Sequence, residues 1–225
     1  MSKNLRSFIR NKNKNKKHFS WNGVEIFIKD EIKNKEISLN RVLKSLSKKI
    51  PKDFLINVDT MYIGEFDFLK DREVQAMYQN SSIFITNEQD DEEDLLDDIV
   101  HEISHSLEEV RSELLYSDGE MEKEFIQKRK KLYSLLSTEG IECELSWFLN
   151  PEYDEAFDMF LYKEVGYPLL SMLGSSIFYS PYGITSLREY YANGFEALYC
   201  YEEVSFIEKY CPVLYFKLLA LLEEE

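Results

Sequence analysis

Five residues near the middle of the chain constrain it most: His101-Glu102-Ile103-Ser104-His105, set in a run where Leu96, Ile99, Val100, Ile103, Leu107, Val110 and Leu114 recur at intervals of three and four. That recurrence predicts an amphipathic helix. On a helix, residues four apart lie one turn above each other on the same face, so both imidazoles can reach one metal ion at about 2.0–2.1 Å. Glu102 then stands beside the ion rather than on it. A carboxylate there can hold a water, take its proton and pass it to a leaving group. Two of the three histidines belong to this pattern, and the third, His18, falls in a Lys/Asn-rich stretch. The bland reading of His101 and His105 is a pair of hydrogen-bonded helix residues without a metal.

A chain of 225 residues, 44% of them hydrophobic, can bury the core of one large domain. It contains no continuous apolar run of about 18 residues that would span a bilayer, and its first seventeen residues lack the apolar stretch of a signal peptide. The expectation is a cytoplasmic protein without a membrane partner. Cys143, Cys200 and Cys211 are odd in number and not closely paired, which fits reduced thiols better than a disulfide framework or a thiolate zinc site. A net charge of −15 argues against general nucleic-acid binding. The sign is uneven, because residues 1–52 are basic while 87–98 and the C-terminal glutamates are acidic. Residues 1–20 read as a flexible basic tail, with a nucleic-acid or other anionic partner as its secondary reading.

The remaining pattern predicts an α+β fold. Val24 to Ile28 reads as a strand, and Leu39 to Ile50 as a helix capped by Ser38 and stopped by Pro51. Segments 54–58, 61–66, 73–78 and 83–86 read as short strands of a small twisted sheet. Asp90 with Glu93 spells a capping-box-like start for the motif helix, and the acids of 90–94 suit the positive end of its dipole. Beyond Gly119 the pattern is helical, over 120–136, 140–148, 152–164, 168–178, 185–201 and 212–223. One domain over 21–225 is expected, with an α/β lobe of about 21–118 and a helical lobe of about 119–225.

A catalytic zinc usually takes three protein ligands and leaves a fourth position open. The extended metzincin pattern needs Gly at 108 and His at 111, where this chain has Glu108 and Arg111. With His18 in a tail, the third ligand is expected to be a carboxylate from a later helix, as in gluzincins. The segment Ser186-Leu-Arg-Glu189-Tyr-Tyr-Ala-Asn193-Gly-Phe-Glu196-Ala-Leu-Tyr199 resembles the Glu-aromatic-aromatic-Ala-x-x-Phe helix that carries the third zinc ligand in metallopeptidases related to anthrax lethal factor. The resemblance covers roughly 60–110 and 178–200 and is specific at two short motifs. It implies a zincin-like fold, Glu189 as the third ligand, and Tyr182, seven residues earlier, as donor to an oxyanion. It also implies that the strand before the zinc helix, Ile83 to Thr86, pairs with an extended polypeptide substrate. The chain is similar as well to small metallopeptidases found in phage genomes.

This chain departs from the family in two places. As many as 83 residues separate His105 from Glu189, and Asn193 stands where relatives place an acid that orients a histidine. The rival third ligand is Glu139, whose Glu139-Gly140-Ile141-Glu142 partly matches the Glu-Gly-x-Ala-like helix of other zinc peptidases. Tyr179 is the rival donor to Tyr182. The function expected is a zinc-dependent metalloendopeptidase with Zn²⁺ on His101, His105 and Glu189, Glu102 as general base and then acid, and Tyr182 as oxyanion donor. The alternatives are a non-catalytic zincin-fold interaction or structural protein and a zinc hydrolase acting on another amide. Glu102 separates the non-catalytic reading, because a structural zinc site has no use for a carboxylate beside the metal and closes the fourth position, commonly with Cys.

Overall fold

The computed structural model describes residues 17–223; the basic stretch 1–16, Glu224 and Glu225 lie outside the described residues. The fold is α+β, with a sheet lobe and a helical lobe. The chain divides into two compact units, 1–107 and 108–225.

In the first unit, β1 (Lys17–Trp21) and β2 (Val24–Ile28) form an antiparallel hairpin. Its two-residue turn is Asn22-Gly23, both at positive φ, the conformation that tight hairpins require. Helix α1 (Leu39–Lys49) follows and leads to β3 (Thr60–Gly64), which pairs parallel with β2. A short helix, α2 (Asp67–Asp71), precedes β4 (Ala76–Gln79), and a second tight turn at Asn80-Ser81 returns the chain into β5 (Ser82–Thr86). β5 lies parallel to β3 and antiparallel to β4, giving the order β1-β2-β3-β5-β4.

Side chains alternate across a strand, so each strand shows one face to the core. Val24, Ile26, Met61, Ile63, Ile83 and Ile85 make the buried row, and each such aliphatic side chain stabilises the fold by about 1.5–3 kcal/mol relative to its exposed state. The opposite face carries an aromatic ladder, with Phe27, Tyr62 and Phe84 directly across from one another and stacked 5.2 and 5.1 Å apart. His18 begins this ladder. It lies in β1, stacked 4.5 Å from Phe27 and paired with Glu25, so the boundary of the tail at residue 20 falls inside a strand.

Other boundaries differ from expectation for local reasons. Segment 54–58 is not a strand: Lys52–Leu55 is a 3-10 turn, and Phe54, Leu55 and Val58 are buried while Ile56 is 69% exposed. Apolar residues at i, i+1 and i+4 have the spacing of a helical turn, not of a strand. β5 is also not an edge: β3 and β4 flank it, so its backbone is already paired on both sides and a substrate cannot add to it.

Helix α3 (Glu92–Tyr116) carries the motif, and Arg111 within it is non-helical at φ −115°, ψ 16°. Its cap is one residue later than expected. Asp91 Oδ1 accepts the Glu93 and Asp94 amides at 2.8 and 3.0 Å, and Asp94 Oδ2 accepts the Asp90 amide at 3.0 Å. Asp91 is thus the N-cap, and Asp94 reaches back to the amide one residue before it, so the acidic run resembles a capping box without its reciprocal bond. Leu96, Ile99, Val100, Ile103 and Leu107 are buried as the stripe requires, whereas Val110 is 47% exposed.

The second unit is helical: α4 (Glu120–Thr138), α5 (Leu145–Leu149), α6 (Glu155–Met159) running into a π-helical turn Phe160–Val165, α7 (Tyr167–Gly174), α8 (Leu187–Tyr199), α9 (Val204–Tyr210) and α10 (Pro212–Ala220). The helix expected over 140–148 is only α5. Gly140, at φ 79°, ends α4: its amide donates to Ser137 O and the Ile141 amide to Leu136 O, the two bonds of a Schellman cap. Among the described residues, no helix is long and apolar enough to cross a membrane.

Candidate metal centre

His101 and His105 lie one turn apart on α3, with Nε2 atoms 3.1 Å from each other and ring planes 82° apart. Two nitrogens bound tetrahedrally to one zinc at 2.0–2.1 Å stand roughly 3.3 Å apart. The observed spacing therefore fits two lone pairs aimed at a common ion, although an N–H···N hydrogen bond between opposite tautomers has similar length. Glu189 completes the set: one ligand atom from each of His101, His105 and Glu189 all lie within 4.8 Å of one another. Two imidazole nitrogens and one carboxylate oxygen are the donor chemistry of a three-ligand zinc site.

Glu139 is not in that group. It is the exposed C-cap of α4, in the Schellman turn, where its side chain projects from a helix end. Glu189 by contrast sits in the first turn of α8, whose N-cap Ser186 accepts the Glu189 amide through Oγ at 3.1 Å. The positive end of the helix dipole favours a carboxylate there. Arg188, next to Glu189 in sequence, donates through Nε to Glu108 at 2.9 Å.

Arg129 explains how the turn before α8 is held. Fully buried, it lies 4.6 Å from both the Phe125 and Phe157 rings and donates to four carbonyls: Ile184 at 2.8 Å, Thr185 at 2.7 Å, Trp147 at 3.2 Å, and Asn150. Burial lowers its pKa to about 9, so it stays cationic at neutral pH. Ile184 and Thr185 connect Tyr182 to α8, so this one side chain braces the backbone carrying both Tyr182 and Glu189. Tyr182 begins the 3-10 turn Tyr182–Ile184 and is 37% exposed as a residue. Even so, desolvation first and the Glu189 carboxylate second push its phenol well above the ordinary range. A phenol shifted in this direction keeps its proton at neutral pH. Tyr179 instead packs edge-on against Phe206 at 5.7 Å.

No family model, curated protein or solved structure matches this chain.

Two local arrangements were not legible beforehand. Asn193, which stands where relatives place an acid that orients a histidine, has its Oδ1 on the Ser180 hydroxyl and its Nδ2 on Glu196 Oε2 at 3.3 Å. It also fills the space beside Gly183, where an added Cβ would lie 2.8 Å from Asn193 Oδ1. Asn193 thus packs the Tyr182-Gly183 turn against α8. Glu102, 7% exposed, accepts the backbone amide of Tyr78 through Oε2 at 2.5 Å. No sequence spacing signals a contact between a helix and the edge strand β4.

One turn before Glu102, Asp98 accepts Gln89 Nε2 at 2.8 Å, yet its pKa is raised to about 7, chiefly by burial and further by Asp94, Glu102 and Asp97. An acid whose folded pKa exceeds its unfolded value of 3.8 holds an extra proton in the native state. Stability is then full below the unfolded pKa and is lost as pH rises toward about 7. Asp98→Asn is expected to raise the Tm of the metal-free protein at pH 8 and to leave it nearly unchanged at pH 4, as read by thermal unfolding at both pH values.

Proposed function

We propose that this chain is a zinc-dependent metalloendopeptidase. The observation that supports it is the convergence of His101, His105 and Glu189 to within 4.8 Å with a buried carboxylate, Glu102, next to His101. A zinc ion on those three side chains would polarise a scissile carbonyl and bring the pKa of a water toward neutrality.

The chain's own groups then divide the work. Glu102, with Oε2 anchored on the Tyr78 amide, would handle the proton: it receives one from the attacking water and delivers it to the departing amine nitrogen. Tyr182, held protonated, donates its hydroxyl to the oxygen on which negative charge develops. The substrate is a polypeptide in extended form. β5 being interior, the strand proposed to receive it is the edge strand β4, through outward main-chain groups other than the Tyr78 amide that Glu102 holds.

The test is hydrolysis of a broad peptide library by the zinc-loaded chain. Tyr182→Phe is expected to retain zinc and lose roughly 10²-fold in kcat. An unchanged kcat would remove Tyr182 from the mechanism and turn attention to Tyr179.

A further inference from the structure

We infer that Asn57 and Tyr78 are positioning residues for Glu102, together forming a clamp that fixes the carboxylate against the edge of the sheet; its catalytic consequence rests on the peptidase reading. The clamp is a closed circuit of contacts within the first unit. Glu102 Oε2 accepts the Tyr78 amide at 2.5 Å. The Tyr78 phenol accepts Asn57 Nδ2 at 2.7 Å, and the same nitrogen donates to Ser106 O at 3.2 Å. Ser81 Oγ donates to Asn57 Oδ1 at 3.4 Å, so the carboxamide is held on both sides.

Both ends of the circuit return to α3, at Glu102 and Ser106, four residues and about one turn apart. β4 is the last strand of the sheet, and alternate amides along an outer strand have no neighbouring strand to bond. The Tyr78 amide is given to Glu102 instead. An amide anchors a carboxylate only as well as its own strand is held, and a four-residue edge strand is among the more easily frayed elements of a fold. Asn57 supplies the tether by fastening the Tyr78 side chain to the backbone of the motif helix. The buried row of the sheet includes neither Asn57 nor Tyr78, so the clamp can be loosened without removing core side chains.

The experiment uses the zinc-loaded full chain with Tyr78→Phe, Asn57→Ala and the double variant. It reads amide hydrogen exchange at residue 78, zinc content, and kcat and KM on a cleaved library peptide. Exchange at residue 78 is expected to be slow in wild type, to accelerate about tenfold in either single variant, and to accelerate no further in the double variant, because both substitutions break one circuit. Zinc content and KM should hold while kcat falls about tenfold, as for a displaced catalytic group. An exchange rate that neither substitution moves would overturn the clamp. So would faster exchange with wild-type kcat, since Glu102 would then not depend on it. Exchange that responds as expected in a zinc-loaded wild type that cleaves nothing would uphold the clamp and contradict the peptidase reading.

Discussion

Replacing Glu102 with Gln is expected to reduce peptide hydrolysis by roughly 10²–10⁴-fold, the range over which a positioned acid–base group contributes, while zinc content stays at the wild-type level. Gln keeps the volume and one acceptor oxygen, so the Tyr78 amide retains its partner. What disappears is the basic oxygen that takes the proton, and with it the acid that returns the proton to the amine. Stability should change little, because the apolar stripe of α3 is made by Leu96, Ile99, Ile103 and Leu107 and not by Glu102. Kinetics and metal analysis on the same preparations check this. Equal hydrolysis by the variant would assign the activity to another mechanism.

The second large effect concerns the ligands. His101→Ala, His105→Ala and Glu189→Ala should each reduce bound zinc from about one ion per chain to a small fraction of that, because two remaining ligands no longer close a three-ligand site. Glu139→Ala should leave zinc bound, since Glu139 is an exposed helix C-cap. Metal analysis after dialysis reads the result. Zinc retained by Glu189→Ala and lost by Glu139→Ala would move the third ligand to the end of α4.

The part of this protein legible in its sequence is the part set by short-range periodicity. The α3 stripe, α1, and the strands β2, β3 and β5 follow from i, i+3, i+4 spacing or from alternation, and together they specify the α+β class. β1 was obscured because its Lys/Asn-rich approach resembles a tail. Asn22-Gly23 between Trp21 and Val24 was the available hairpin signal, strong enough to outweigh that composition. Segment 54–58 misled in the opposite direction, since a run of Phe, Leu, Ile and Val has strand composition but the spacing of a turn. The order of β4 and β5 could not be read either, because two hairpin strands of similar length do not say which one lies at the edge. Within the site, His101, Glu102 and His105 were visible as one motif, while Glu189 came through resemblance alone, and Asn57, Tyr78 and Arg129 carried no signal. Their roles arise from contacts between segments 18 to 56 residues apart, which a single sequence does not encode as a pattern.

The most direct measurement is hydrolysis of a broad peptide library by the purified chain, before chelation, after chelation, and after one equivalent of zinc is restored. Cleavage that stops with the chelator and returns with zinc is the result predicted. Cleavage that persists after zinc is removed, or a stoichiometrically zinc-loaded chain that leaves every peptide intact, would contradict it.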